Sequence, residues 1–491
     1  MKNLKKKSSQ TGLLQTLKEN DLISFDLIKN AKGEEHYKDD FISIDLENIE
    51  EEAKSGYYDG VEISIYDGAS IENLDELIKD KKSWDFTLPI SKVHLQGLQY
   101  NQFKKFVELI GAGITEMSII LESDELNTQP LLNACPKIEK LDIESWSELK
   151  IELNGLENLK LNSFRISSPS VSSKKVDLMN STIKELNWNA KVGQLSLPKN
   201  LISLEMGTNL AGTKLNWKEL SKLESLNLTV TDESNDDLTF FKELKSLLNL
   251  ELNISGYPSK GKPQIQMPPS LQSLNLNTTS QDVVSVDLSF LESCKELRSL
   301  VLRTDVGNGG KGFLEFDKLK CLTNLETLEI EENAMGTSGY KSDFSASCLT
   351  SLSKLKKLSL KSMMNIDDLV GFKGLASLEE LKLIESRIIS LKGISFLLKL
   401  STLEMVDCHS ICDFKHLSEN SIKKFVFSIG SYWGTEVKLK KEHILEFNDL
   451  NIDESTFDID KWKFVKKDFK ELTKKFELET DGTTLNLLIK K

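Results

Sequence analysis

Apolar residues recur along most of this chain in one short motif, apolar-x-x-apolar-x-apolar, separated by longer stretches of mixed character. The motif stands at Ile138-x-x-Leu141-x-Ile143, Leu156-x-x-Leu159-x-Leu161, Leu201-x-x-Leu204-x-Met206 and Leu223-x-x-Leu226-x-Leu228. It continues at Leu247-x-x-Leu250-x-Leu252, Leu271-x-x-Leu274-x-Leu276, Leu297-x-x-Leu300-x-Leu302 and Leu325-x-x-Leu328-x-Ile330. It closes at Leu355-x-x-Leu358-x-Leu360, Leu378-x-x-Leu381-x-Leu383, Leu400-x-x-Leu403-x-Met405 and Ile422-x-x-Phe425-x-Phe427. From Leu201 onward the step is roughly 22 to 30 residues, a period that marks a repeat array. Alternate side chains of a strand point to opposite faces, so the paired leucines face inward and the residues between them face solvent. One such coil cannot bury its apolar face alone, and stacked coils predict a continuous parallel sheet.

On these motifs the chain resembles the leucine-rich-repeat family over about residues 90–430. The resemblance implies an α/β solenoid: a horseshoe with a parallel β-sheet on the concave face, short helical or 3₁₀ returns, and a cap at both ends. The run Ile388-x-x-Leu391-x-x-Ile394-x-x-Leu397-x-x-Leu400 has a period of three, which suits a 3₁₀ return and resembles the bacterial, internalin-like subtype. Leu132-x-x-Cys135-x-x-Ile138 and Leu291-x-x-Cys294-x-x-Leu297 predict helical returns instead. Pro198 before Leu201 and Pro268-Pro269 before Leu271 resemble the proline-led repeats of some bacterial effectors. Between about 162 and 200 the register is not readable. There Val176-x-Leu178, Ile183-x-x-Leu186-x-Trp188 and Val192-x-x-Leu195-x-Leu197 crowd too closely for each to be a separate coil.

The ends depart from the pattern. Residues 1–89 read as an N-terminal cap or small α/β module, with strands at Phe41-x-x-Ile44-x-Leu46 and Val61-x-Ile63-x-Ile65. Residues 90–430 form the array. Residues 431–491 read as a C-terminal cap, in which Trp462, Val465, Phe469, Leu472 and Phe476 fall at helical spacing and Thr483–Ile489 reads as a strand.

Composition narrows the function classes. Apolar residues make up 39% of the chain, ample for a packed core. A formal charge of −13 repels phosphate backbones and argues against a nucleic-acid partner. No run approaches the ~18 apolar residues of a membrane span, and the basic start is followed by no apolar core of a signal peptide. The six cysteines scatter without a disulfide pattern, which suggests a reducing compartment. Asn-x-Ser/Thr sites such as Asn227, Asn253 and Asn277 are then expected to be unmodified. A cytoplasmic location is the expectation, with export by a signal-less route left open.

Catalytic and cofactor motifs fare poorly, and neither a cofactor nor a metal is expected. Gly307-Asn-Gly309-Gly-Lys-Gly312 matches a dinucleotide fingerprint in letters, but a leucine-rich coil follows it instead of a βαβ unit, so it reads as a loop insertion. Cys408-His409-x-x-Cys412-x-x-x-His416 has soft ligands at zinc-like spacing. Counted from Leu400, however, Cys408 falls where leucine-rich repeats place an Asn or Cys that hydrogen-bonds the turn backbone. Some bacterial leucine-rich proteins resemble ubiquitin ligases with a large C-terminal cysteine domain; the segment after 430 is short and contains no cysteine. The five histidines offer no Ser-His-Asp spacing, and the lysines of 461–475 are interrupted by Asp468 and Glu471.

These exclusions leave recognition of another protein by a non-enzymatic array acting as a sensor, inhibitor or effector. The alternatives are a self-associating scaffold and an effector whose activity lies in a terminal module. The solvent-facing positions run as columns: Ser225, Asn227, Thr229; Asn249, Glu251, Asn253; Ser273, Asn275, Asn277; Ser299, Val301, Arg303; Thr327, Glu329, Glu331; Lys357, Ser359, Lys361; Glu380, Lys382, Ile384. The first three rows are mostly amides and hydroxyls, and later rows alternate acid and base. Three longer insertions, Ser255–Pro269, Thr304–Phe316 and Glu332–Ser347, follow strands on one rim and carry Tyr257, Phe313 and Tyr340, aromatics of a kind that anchor interfaces. The expected protein-binding residues are Glu251, Asn253, Tyr257, Asn275, Asn277, Arg303, Phe313, Glu329, Glu331, Tyr340, Lys361 and Lys382.

Overall fold

The computed structural model describes residues 23–29, 58–65, 90–97, 100–121, 125–146, 150–171, 175–207, 215–231, 238–255, 264–280, 286–306, 312–333, 342–406, 408, 416, 422, 424–428, 454–457, 476–480 and 485–489. They fall into two compact units, Met1–Leu223 and Glu224–Lys491. The first of the two predicted N-terminal strands, at 41–46, lies outside the described residues, as does the body of the predicted C-terminal helix over 462–476.

In the first unit, strands Ile90–Gln96, Glu116–Leu121, Lys140–Ser145, Ser163–Ser170, Glu185–Lys191 and Ser203–Met206 pair in parallel, each with the next. The second predicted N-terminal strand is present as Tyr58–Ile65. It pairs in parallel with Ile90–Gln96 and antiparallel with Ile23–Lys29. The ladder exists because every second residue is apolar and meets its counterpart on the neighbouring coil. Val93, Met117, Leu141, Phe164, Leu186 and Leu204 form one buried rung, and Leu95, Ile119, Ile143, Ile166, Trp188 and Met206 form the next. Each such side chain contributes about 1.5–3 kcal/mol by leaving water.

Returns in this unit are mixed. Helices Tyr100–Ile110 and Thr128–Ala134 serve two coils. The second is capped where Asn127 Oδ1 accepts from the Gln129 N–H at 3.0 Å, satisfying a backbone donor that the helix leaves open. This is the helical return expected before Ile138.

Two readings of the sequence change here. Leu156-x-x-Leu159-x-Leu161 is not a coil motif. Leu156–Asn158 is a 3₁₀ turn entered through Gly155 at φ 84°, and the strand begins at Ser163. The working motif is Leu161-x-x-Phe164-x-Ile166, all three buried. Leucines at 156, 159 and 161 imitate the spacing, and an aromatic residue in the central position hides the true register. The crowded stretch up to 200 also resolves. Ile183-x-x-Leu186-x-Trp188 is the coil, while Val176 and Leu195 belong to a separate two-strand ladder, Lys175–Asp177 with Gln194–Ser196. The following coil is unusually short, with Asn187 reaching Glu205 across 18 residues at 2.6 Å.

The second unit is more regular. Strands Ser225–Thr231, Asn249–Ser255, Ser273–Ser280, Ser299–Val306, Thr327–Asn333, Lys357–Lys361, Glu380–Ile384, Thr402–Val406, Lys424–Ser428 and Glu454–Phe457 pair in parallel in that order. Glu454–Phe457 then pairs antiparallel with Leu485–Ile489, which falls within the strand predicted over Thr483–Ile489, and that strand pairs antiparallel with Phe476–Thr480. The first inward rung from Leu226 to Leu403 is leucine throughout: Leu226, Leu250, Leu274, Leu300, Leu328, Leu358, Leu381 and Leu403.

Most of the described returns in this unit are 3₁₀ turns, among them Leu288–Ser293, Phe316–Cys321, Val370–Phe372 and Ile394–Phe396. In a 3₁₀ turn residues three apart eclipse, so a period of three keeps one face apolar. Ile388, Leu391, Ile394, Leu397 and Leu400 are accordingly all buried. The return predicted as helical around Cys294 takes this tighter form, its start capped by Asp287 Oδ1 accepting from the Ser289 N–H at 2.9 Å.

Cysteines fill core positions. Cys135, Cys294, Cys348 and Cys408 are buried. Burial pushes the Cys135 and Cys348 thiols up to about 12 and that of Cys294 to about 11. Cys408 occupies the turn position expected of it: its thiol donates toward the Leu383 and Val406 carbonyls at 3.5 and 3.6 Å. Its companions His409 and Cys412 lie outside the described residues.

Candidate interaction face

Strand geometry in the second unit places three rows of outward side chains in register. Asn227, Glu251, Asn275, Val301, Glu329, Ser359, Lys382 and Glu404 form the central row. Thr229, Asn253, Asn277, Arg303, Glu331, Lys361 and Ile384 form the row beside it. Neighbouring strands lie ~4.8 Å apart, so each side chain is flanked by its row partners and only half exposed.

The rows change character along the sheet. At the start, amides bond to one another. Asn277 Nδ2 donates to Asn253 Oδ1 at 2.8 Å, and Asn253 Nδ2 donates diagonally to Asn227 Oδ1 at 3.4 Å. The side-chain oxygens of Asn275 and Asn277 are buried and accept no hydrogen bond.

Further along, opposite charges alternate. Arg303 donates to Glu329 through Nε and Nη2 at 3.1 and 2.8 Å, and its Nε lies 3.7 Å from Glu331. Glu331 also receives Lys361 Nζ at 2.6 Å and Asn333 Nδ2 at 2.9 Å. Burial pushes the Glu331 carboxyl up, but the hydrogen bonds from Lys361 and Asn333 and the charges of Lys361 and Arg303 outweigh it. The net result lies below the ordinary carboxylate value. The hydrogen bond to Glu331 holds Lys361 above the ordinary lysine value. Lys357 pairs with Glu380 at 2.9 Å, and Lys382 with Glu404 at 2.8 Å.

Leucine rungs, in-register parallel strands and 3₁₀ returns together decide the architecture. Each unit has the leucine-rich-repeat fold. Solved leucine-rich-repeat structures resemble it at a distance. A leucine-rich-repeat protein of Leptospira interrogans aligns at 16% identity and a TM-score of 0.42, over 72% of this chain and 92% of that one. The structure of a TLR13–ssRNA13 complex aligns at 15% identity and a TM-score of 0.35, over 76% and 68% respectively. Internalin C2 of Listeria monocytogenes aligns at 14% identity and a TM-score of 0.28, over 49% and 82%. No protein-family model matches the chain, and no curated protein matches its sequence. The repeat assignment therefore rests on the ladder register itself.

Within this leucine-rich-repeat array, Glu251, Asn253, Asn275, Asn277, Arg303, Glu329, Glu331, Lys361 and Lys382 all stand on the same sheet face. Tyr257 and Tyr340 lie outside the described residues. Phe313 does not stand on the rim as an exposed anchor. It is 1% exposed and packs edge-on against Phe316, which packs edge-on against Phe344 at centroid distances of 6.3 and 5.3 Å. The physical reason is a short second ladder. Val286–Asp287 pairs with Phe313–Leu314 and draws the end of the insertion back into the core, where the Phe313 N–H meets the buried Glu332 carboxylate at 3.4 Å. Phe313-x-x-Phe316-x-x-Leu319-x-x-Leu322-x-x-Leu325 runs at a period of three into the next return, all buried, and carried that signal in part.

Sequence reasoning also left out Glu404, Asn333 and Asp305. Asn333 bridges Asp305 and Glu331 at 3.0 and 2.9 Å. Extending the same period-two count by one residue pair along each strand would have found Asp305 and Asn333, and carrying the columns one coil further would have found Glu404. Among the described residues, no group of three or more His, Cys, Asp or Glu side chains converges on a metal-sized site. No helix among them is long and apolar enough to cross a membrane.

Proposed function

We propose that this chain is a non-enzymatic recognition protein that captures another protein on the strand face of the Glu224–Lys491 unit. The observation that supports this reading most is the face itself: rows of half-exposed amides, hydroxyls and paired charges on a rigid parallel ladder. Such a face offers many hydrogen bonds without ordering cost, because the ladder already fixes each side chain's origin. Although TLR13 is seen with RNA, a net charge of −13 disfavours that class of partner for this chain. Sensor, inhibitor and effector roles would all use the same face.

Photo-crosslinking tests the proposal. A photoreactive residue placed at Ser273 or Asn253 should give a discrete heterologous protein adduct in extract of the producing cell. The same residue at Lys199, an exposed turn of the other unit, should not. Asn275→Arg, which fills the central row, should suppress the Ser273 adduct. Equal labelling from all three positions would sink the reading, and an adduct made only of a second copy of this chain would replace it with self-association.

A further inference from the structure

Between Ser225 and Val406 the outward strand carboxylates are Glu251, Asp305, Glu329, Glu331, Glu380 and Glu404. Glu329 and Glu331 share Arg303, Glu331 also holds Lys361, Glu380 holds Lys357, and Glu404 holds Lys382. Asp305 accepts from Asn333. Glu251 differs from every other member of this set: among the described residues it meets neither a cation nor a hydrogen-bond donor. The cross-strand positions on either side of it, where a lysine or arginine would complete the pattern, are Asn227 and Asn275.

Those amides carry no charge with which to neutralise it. The Asn253 and Asn277 side-chain N–H groups bond within the amide chain, and the oxygens of Asn275 and Asn277 accept nothing. Glu329, Glu331, Glu380 and Glu404 each meet a cation from a neighbouring strand. Among the described residues none does so for Glu251, which stands as a half-exposed carboxylate.

We propose that Glu251, flanked by Asn275 and Asn277, receives a cationic side chain of the protein partner, specifically an arginine on an extended segment lying across the strands. An arginine presents five N–H donors in a planar fork and can bond both oxygens of the half-exposed carboxylate at once. Lysine offers a point charge and fewer directed donors. The acidic chain as a whole assists the approach of a basic segment. This inference rests on the recognition reading above and specifies the chemistry of the partner.

The test uses the whole chain and a random dodecapeptide display library as the probe. Panning should enrich peptides bearing arginine. Replacing that arginine by citrulline, which keeps the shape and removes the charge, should weaken binding by about tenfold or more. Glu251→Gln should cause a similar loss with circular dichroism unchanged, and Glu251→Lys should move enrichment from arginine-bearing to carboxylate-bearing peptides. Enrichment indifferent to arginine, citrulline-insensitive binding, or no enrichment at all would overturn the proposal. If Asn253 and Ser273 still crosslink a protein in the Glu251→Gln chain at full yield, the recognition reading stands and this one falls.

Discussion

The two units use one architecture with different fillings. In the Glu224–Lys491 unit the first inward rung is leucine from Leu226 to Leu403, and most of the described returns are short 3₁₀ turns. In the Met1–Leu223 unit the corresponding rung passes through Val93, Met117, Leu141, Phe164, Leu186 and Leu204, and its returns include α-helices. Side chains of unequal volume cannot stack as identical layers, so each layer must be matched individually. Trp188 and Phe164 show this: they meet edge-on at 6.3 Å, one aromatic filling the room beside the other. Regular filling makes coils interchangeable, whereas irregular filling makes each coil specific to its neighbours.

Breaking the regular spine should have the largest effect. Leu300 is fully buried between Leu274 and Leu328, and Leu300→Asp places an unpaired charge there at a cost of more than about 5 kcal/mol. Hydrogen exchange should show lost protection over Ser273–Ser280, Ser299–Val306 and Thr327–Asn333, with the strands of the first unit still protected. Uniform loss across both units would contradict the nearest-neighbour picture.

Trp188→Ala probes the irregular spine. It should cost about 3–5 kcal/mol, because a stiff, individually matched layer collapses poorly around the void. Leu274→Ala in the regular unit should fall at or below the lower part of that range. Chemical denaturation monitored separately on each unit checks the order, and equal costs would erase the distinction between the two fillings.

The smallest effect concerns the charge row. Glu331 titrates below its ordinary value in the folded chain, so its contribution is complete above the unfolded carboxylate value of ~4.3 and disappears as pH falls through the folded value. Glu331→Gln should therefore flatten the acid limb of the stability profile below about pH 4, by less than ~1 kcal/mol because Arg303 and Lys361 are half exposed. An unchanged acid limb would show that the pair contributes nothing measurable.

How much could be read from residues alone follows the same division. Leucine at each rung of the second unit makes the strand register visible, and period three in Ile388–Leu400 makes the 3₁₀ return visible. Phe164 and Trp188 satisfy the same packing with different letters, so the register between about 162 and 200 was hidden, and the leucines at 156, 159 and 161 suggested a false one. Nine of the expected binding residues fall on one face because period two is geometric. The placement of Phe313 was legible only in part: it stands three residues before Phe316 at the head of a period-three run, but the two-residue ladder between Val286–Asp287 and Phe313–Leu314 leaves almost no pattern in the chain. Ion pairing across coils was hidden for a related reason: Arg303 and Glu329 are 26 residues apart, and only the register joins them.

The buried thiols give the molecule a built-in clock. Cys135 reports on the first unit, and Cys294, Cys348 and Cys408 report on three separate coils of the second. Each is shielded while its own coil is shut, and each becomes open to a maleimide only when that coil parts from its neighbours. Pulse labelling followed by peptide mapping would then record, without any engineered probe, the sequence in which the stack comes undone.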